Sequence, residues 1–198
     1  MEQYMTDHAF YYERYLIKNY NSKIVIAMMK LMNGNRKSSF TISQLSKISR
    51  ESKQVAKTAV YKMIDEYMIN KLKIEFIPAE YSAHEIFVVQ FPLKMEDFSY
   101  LYEFELDELL TLNSAEIKIF LSMFGLMKNS THYKTKKLKH ISIGRDTISR
   151  FSGVKNLNTL TDAIDSLEDK QWIKIIDKGN NLKSQNTKYE ILKDYKIR

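Results

Sequence analysis

The stretch from Ile141 to Leu192 restricts the fold more than any other part of the chain, because the period of its apolar residues changes part-way along. Leu160, Ile164 and Leu167 fall at i, i+4 and i+7 and share one face of a helix. From Trp172 the apolar residues crowd together as Trp172, Ile173, Ile175 and Ile176, which begins a strand. Tyr189, Ile191 and Leu192 supply its partner beyond a loop rich in Lys and Asn. A shorter helix from Ile141 and a turn precede the Leu160 helix. The stretch therefore predicts a helix, a turn, a second helix and a hairpin behind them.

The same order is expected earlier in the chain. Ser22 caps a helix over Lys23–Met32, with Ile24, Ala27, Met28 and Leu31 inward, and Asn33, Gly34 and Asn35 stop it. Phe40, Thr41 and Ile42 form a short extended piece. Ser43 begins a second helix through Ser49, with Leu45 and Ile48 inward, and a third runs from Lys53 to Tyr67 on Ala56, Val60, Met63 and Ile64. Ile69–Ile77 and His84–Phe91 make a hairpin with turn formers between them, from Pro78 to Ala83.

The second half repeats this pattern. Ser114 caps Ala115–Leu126 at 92 positions after Ser22, and Leu45 and Ile48 return 103 positions later as Ile148 and Phe151. Ala56, Val60, Met63 and Ile69 return 104 positions later as Leu160, Ile164, Leu167 and Ile173. An insertion at Asn129–His140 and one extra residue in the turn account for the changing offset. The expected fold class is mainly α with small β-hairpin wings (α+β), arranged as two tandem winged helix-turn-helix domains. The first occupies residues 22–92 and the second residues 113–198. Residues 1–21 are read as an aromatic-rich arm, helical over Phe10–Asn19. Residues 93–112 are read as an acidic connector whose Phe104, Leu106, Leu109 and Leu110 pack one domain against the other.

Composition narrows the function. The formal net charge is +7, and residues 112–198 hold 17 Lys and Arg against 9 Asp and Glu, so the second domain points to a polyanionic partner. No run of about 18 apolar residues spans a bilayer, and Met1–Tyr15 mixes aromatics with charges where a secretory signal would be continuously apolar. With no cysteine there is no disulfide frame and no thiolate site; the expectation is a cytoplasmic protein with no membrane role. The four histidines (His8, His84, His132 and His140) lack zinc-ligand spacing, and no phosphate-binding glycine loop or nucleophile elbow occurs. The chain is read as non-enzymatic, with no cofactor and no metal.

The candidate face for double-stranded DNA is the third helix of each domain, where side chains that project from the front turns reach base edges. In the first domain these are Lys53, Gln54, Lys57, Thr58 and Tyr61, with Arg50 in the preceding turn. Lys and Arg suit phosphate or guanine, and Gln suits adenine. In the second they are Lys155, Asn156, Asn158, Thr159 and Thr161; Asp162 and Asp165 follow and repel phosphate, which leaves only the front end of that helix for contact. The second wing adds Lys178, Asn180 and Lys183, and the insertion adds Lys136 and Lys137 ahead of Arg145. The first wing sets Glu75, Glu80 and Glu85 against Lys71 and Lys73 and reads as a protein-facing surface. A homodimer through the arm or that first wing is a further expectation. The bland alternative is that all these positions are ordinary solvated helix and loop surface.

Asn158–Ile176, NTLTDAIDSLEDKQWIKII, resembles the third helix and first wing strand of winged-helix proteins, with Gln171 standing where that pattern usually has Gly. The tandem arrangement resembles the replication initiators of plasmids and the replication proteins of phages and other mobile elements. That resemblance implies a protein that binds repeats at an origin with paired winged helices and recruits a replication protein partner. A transcription regulator of the same architecture is the alternative. A winged-helix interaction module of a chromosome-organising complex is a third reading, which the basic second half disfavours.

Overall fold

A computed structural model of the chain describes residues 10–33, 35–66, 73–76, 86–91, 98–101, 103–178 and 186–193. Its elements are β1 (Phe10–Glu13), α1 (Arg14–Asn19), α2 (Ser22–Lys30), β2 (Lys37–Phe40), α3 (Ile42–Ser49), α4 (Lys53–Asp65), β3 (Lys73–Phe76), β4 (Phe87–Gln90), β5 (Phe98–Leu101) and α5 (Glu103–Leu109). They continue as α6 (Ser114–Asn129), α7 (Thr131–Lys136), β6 (His140–Gly144), α8 (Arg145–Ser152), α9 (Leu157–Asp169), β7 (Ile173–Asp177) and β8 (Asn186–Ile191). The protein is mixed α+β, with helices dominating and short antiparallel sheets, and it divides into two units, Met1–Thr111 and Leu112–Arg198. Among the described residues no helix is long and apolar enough to cross a membrane.

In the first unit α2 is the central helix, with Ile24 through Met29 all buried. Its cap is Asn21, one residue before the expected Ser22: the Asn21 Oδ1 accepts from the amides of Lys23 and Ile24 at 3.0 and 3.2 Å, while Ser22 is already helical. Thr41 caps α3 in a reciprocal box with Gln44, two residues before the expected start at Ser43. The sheet runs β2-β4-β3, all antiparallel, and Phe40 stacks on Phe87 with ring centroids 6.0 Å apart. The expected Phe10–Asn19 helix is half strand. Tyr11 and Tyr12 favour extended backbone, and β1 pairs with β5 from Phe10↔Leu101 to Glu13↔Phe98 before α1 begins at Arg14.

That pairing also relocates the expected connector. Its described part belongs to the first unit: β5 lies on β1, α5 packs on α2, and Lys30 forms an ion pair with Asp107. The acidic, Leu-rich segment thus closes the unit that precedes it, and the arm and connector hold each other as a two-stranded ribbon.

The second unit follows the same order with α6 at its centre. Asn113, again one residue ahead of the expected Ser114, caps α6 in a box with Glu116. The chain then differs from expectation at Ile141. Residues 140–144 alternate as His-Ile-Ser-Ile-Gly, a strand period, and form β6; the first helix of the pair begins only at Arg145. The sheet order is β6-β8-β7, matching β2-β4-β3. In both sheets the strand after the long helix carries a register shift, at Ile74/Phe76 and at Ile175/Asp177, which adds local twist to the hairpin. Trp172 is buried edge-on against Phe120 at 4.8 Å.

Candidate nucleic-acid interface

The two helix–turn–helix pairs are built alike, down to their hydrogen bonds. α3 and α8 each have eight residues and each ends in a left-handed residue, Arg50 (φ 58°) and Gly153 (φ 75°). Ser46 donates its hydroxyl to the Glu51 carbonyl at 2.7 Å, and Ser149 donates to the Val154 carbonyl at 2.8 Å. Ser49 and Ser152, both buried, accept from the amides of Glu51 and Val154. The turn is thus set by the pattern Ser-x-x-Ser ahead of a left-handed residue, which SKISRE and SRFSGV share at an offset of 103 and which apolar periodicity does not register. Ser52 then caps α4 through the Val55 amide, and Asn156 caps α9 through those of Asn158 and Thr159.

Around the first turn the expected residues gather on one surface. Lys53, Gln54 and Thr58 are exposed on α4, and Lys57 sits over the Tyr61 ring with its Nζ 5.4 Å from the centroid. Arg50 is exposed and lines a shallow cleft of about 430 Å³ with Lys30, Gln44, Lys47, Ile48 and Asp107. Three cations, from α2, α3 and the turn, line that cleft, together with the Asp107 carboxylate that is ion-paired to one of them, Lys30. Lys30 and Lys47 were not among the expected contacts, because their helices read from sequence only as core elements.

The second unit is more divided. Lys155, Asn158 and Thr159 are exposed around the start of α9. Asn156 is exposed too, but its carbonyl oxygen is committed to the cap, so only its amide donors remain for a partner. Thr161 directs its hydroxyl to the Leu157 carbonyl at 2.9 Å. Arg145 opens α8 and is exposed; its charge opposes the burial that pushes the Tyr189 hydroxyl above its ordinary value. Lys136 ends α7 and is exposed. Lys137 caps that helix in the left-handed region with its ammonium 5.3 Å from the Tyr133 ring. Lys178 is exposed just past β7, while Asn180 and Lys183 lie outside the described residues, as do residues 77–85, where the tip of the first wing is expected.

No family model matches the chain, and neither a curated protein nor a solved structure matches it.

The electrostatics of the two long helices differ. α4 carries Lys53, Lys57 and Lys62, whereas α9 carries no base and presents Asp162, Asp165 and Asp169 to solvent beyond its first turn. At its far end α9 is anchored by a buried charge. Glu116, 1% exposed, accepts from Lys170 at 2.7 and 2.8 Å and from the Ser166 hydroxyl at 2.7 Å. Burial alone would raise its pKa, but these hydrogen bonds and the one from the Asn113 amide together hold the carboxyl below the ordinary 4.5. These bonds tie the far end of α9 to the start of α6, while its capped first turn is exposed at Leu157, Asn158 and Thr159 and carries no charged side chain. Among the described residues no group of His, Asp or Glu is placed to hold a metal ion.

Proposed function

We propose that each unit is a winged helix-turn-helix and that the chain is a double-stranded DNA-binding protein that grips its site with both. The observation that carries this reading is the twofold occurrence of one device. A helix, a serine-locked turn and a second helix with an exposed first turn appear twice, each backed by a sheet of order first-third-second. Such a helix end is what enters a major groove. In the first unit α4 offers Lys53, Gln54, Lys57 and Thr58 to bases and phosphates, with Arg50 on the backbone. In the second the readout is confined to Asn158, Thr159 and their neighbours, and Lys155, Lys178, Arg145 and the Lys136–Lys137 pair supply phosphate contacts.

The biological role we assign is replication initiation at an origin of a plasmid, phage or other mobile element. The tandem arrangement and its resemblance to such initiators support it. A transcription regulator of the same architecture is the second reading. Titration of the full chain against duplex DNA at several salt concentrations tests the binding: affinity falling steeply with salt is expected, and no binding to any duplex at low salt removes the reading. Sequencing the genomic fragments that the chain retains separates the roles, since clustering at an origin supports initiation and clustering at promoters overturns it.

A further inference from the structure

The first turn of α9 has a composition that suits one kind of base pair. Leu157, its first residue, is 59% exposed, more than any other large apolar side chain among the described residues. A single exposed leucine needs no explanation, but its neighbours share a chemical character. The Asn158 carboxamide and Thr159 hydroxyl have no hydrogen-bond partner among the described residues, and Thr161, its hydroxyl committed to the Leu157 carbonyl, keeps its methyl for a partner. The helix has no Lys or Arg, the usual partners of guanine O6 and N7; Lys155, two residues before it, is assigned to phosphate, and Asp162 follows beyond the first turn. What remains within the helix is one carboxamide with both donor and acceptor open, Asn158, which can pair with adenine N6 and N7, and apolar groups that can meet a thymine methyl. Val55, 37% exposed in the first turn of α4, places a second apolar group at the corresponding end of the first unit.

We infer that α9 reads A·T pairs, with Leu157 as the specificity-determining residue through contact with the thymine 5-methyl group. This rests on the DNA-binding reading and adds to it the identity of the bases at one half-site. Asn158 fixes the adenine, and Leu157 disfavours bases that lack the methyl, uracil and cytosine.

The test uses the full chain and a duplex selected by it from a random library. Each thymine is replaced in turn by uracil, which removes the methyl and leaves the hydrogen-bonding edges unchanged. For at least one position binding is expected to weaken about fourfold, the value of one buried methyl group. Leu157→Ala should bind thymine and uracil duplexes alike, and Leu157→Met, which keeps an apolar end, should retain the difference. Binding that no uracil replacement changes, or a thymine preference that persists in full in Leu157→Ala, overturns the inference while leaving DNA binding intact. Failure to bind any duplex overturns both.

Discussion

The Ser149 hydroxyl donates to the Val154 carbonyl at 2.8 Å, so the turn between α8 and α9 is closed by a side chain rather than by backbone bonding alone. Ser46 and Glu51 repeat the bond in the first unit. A hydrogen bond of this kind contributes about 1 kcal/mol. Ser149→Ala is expected to lower the melting temperature of its unit by roughly 4–8 °C, and Ser149→Thr, which keeps the hydroxyl, to recover most of it. Thermal unfolding followed by circular dichroism measures both, and an unchanged melting temperature in the alanine variant would mean the backbone holds the turn unaided.

Arg50 and Gln171 occupy left-handed backbone at φ 58° and 59°, where a side chain costs about 1 kcal/mol relative to glycine. Relief of that strain makes a paired prediction. Arg50→Gly and Gln171→Gly should each raise stability by up to about 1 kcal/mol in urea unfolding. Only Arg50→Gly should weaken DNA binding, because Arg50 lines the basic cleft beside the turn and Gln171 has no assigned contact. If Arg50→Gly stabilises the protein and binds DNA as well as the parent, the cleft is not part of the interface.

Glu116 makes stability depend on acid. Because its folded pKa lies below 4.5, the stabilisation it provides is complete above that value and is lost as pH falls through the lower folded pKa. Glu116→Gln should cost about 1–3 kcal/mol at neutral pH, towards the lower end because Lys170 is 43% exposed. The gap between parent and variant should narrow as the pH is taken below 4.5. Urea unfolding of both proteins across that range provides the measurement; a constant gap would assign the loss to packing instead of charge.

Periodicity exposed the helices and the duplication, because Leu160, Ile164 and Leu167 can share a face only in a helix and their counterparts recur upstream. Caps were displaced by one residue for a definite reason. In Asn21-Ser22 and Asn113-Ser114 both residues are good caps, and only the backbone decides which stays extended. β6 was hidden because His140–Gly144 is short and sits against a helix start with no side-chain cap at Gly144. The pairing of β1 with β5 joins residues nearly ninety positions apart, and no local pattern encodes such a partner. At the site, charge showed where Lys53 and Lys57 would lie. It could not show that Asn156 is occupied as a cap or that Leu157 stands exposed, since both depend on where α9 begins. The departure at Gln171 has a physical meaning: the position is left-handed, which is why glycine suits it.

Base readout and backbone grip should separate by mutation. Lys57→Ala and Asn158→Ala are expected to weaken the cognate duplex by about 1–3 kcal/mol and to relax its preference over unrelated sequences. Lys178→Ala should weaken all duplexes alike and reduce the slope of log affinity against log salt by about 0.9, the share of one phosphate contact. Fluorescence anisotropy from about 50 to about 200 mM salt resolves both effects. Lys57 also lies over Tyr61, a contact worth about 0.5–1 kcal/mol, so its variant is melted in parallel, and a small loss of stability leaves the binding comparison valid. Should all three variants lose affinity equally on every sequence, neither α4 nor α9 reads bases, and the chain holds DNA by its backbone alone.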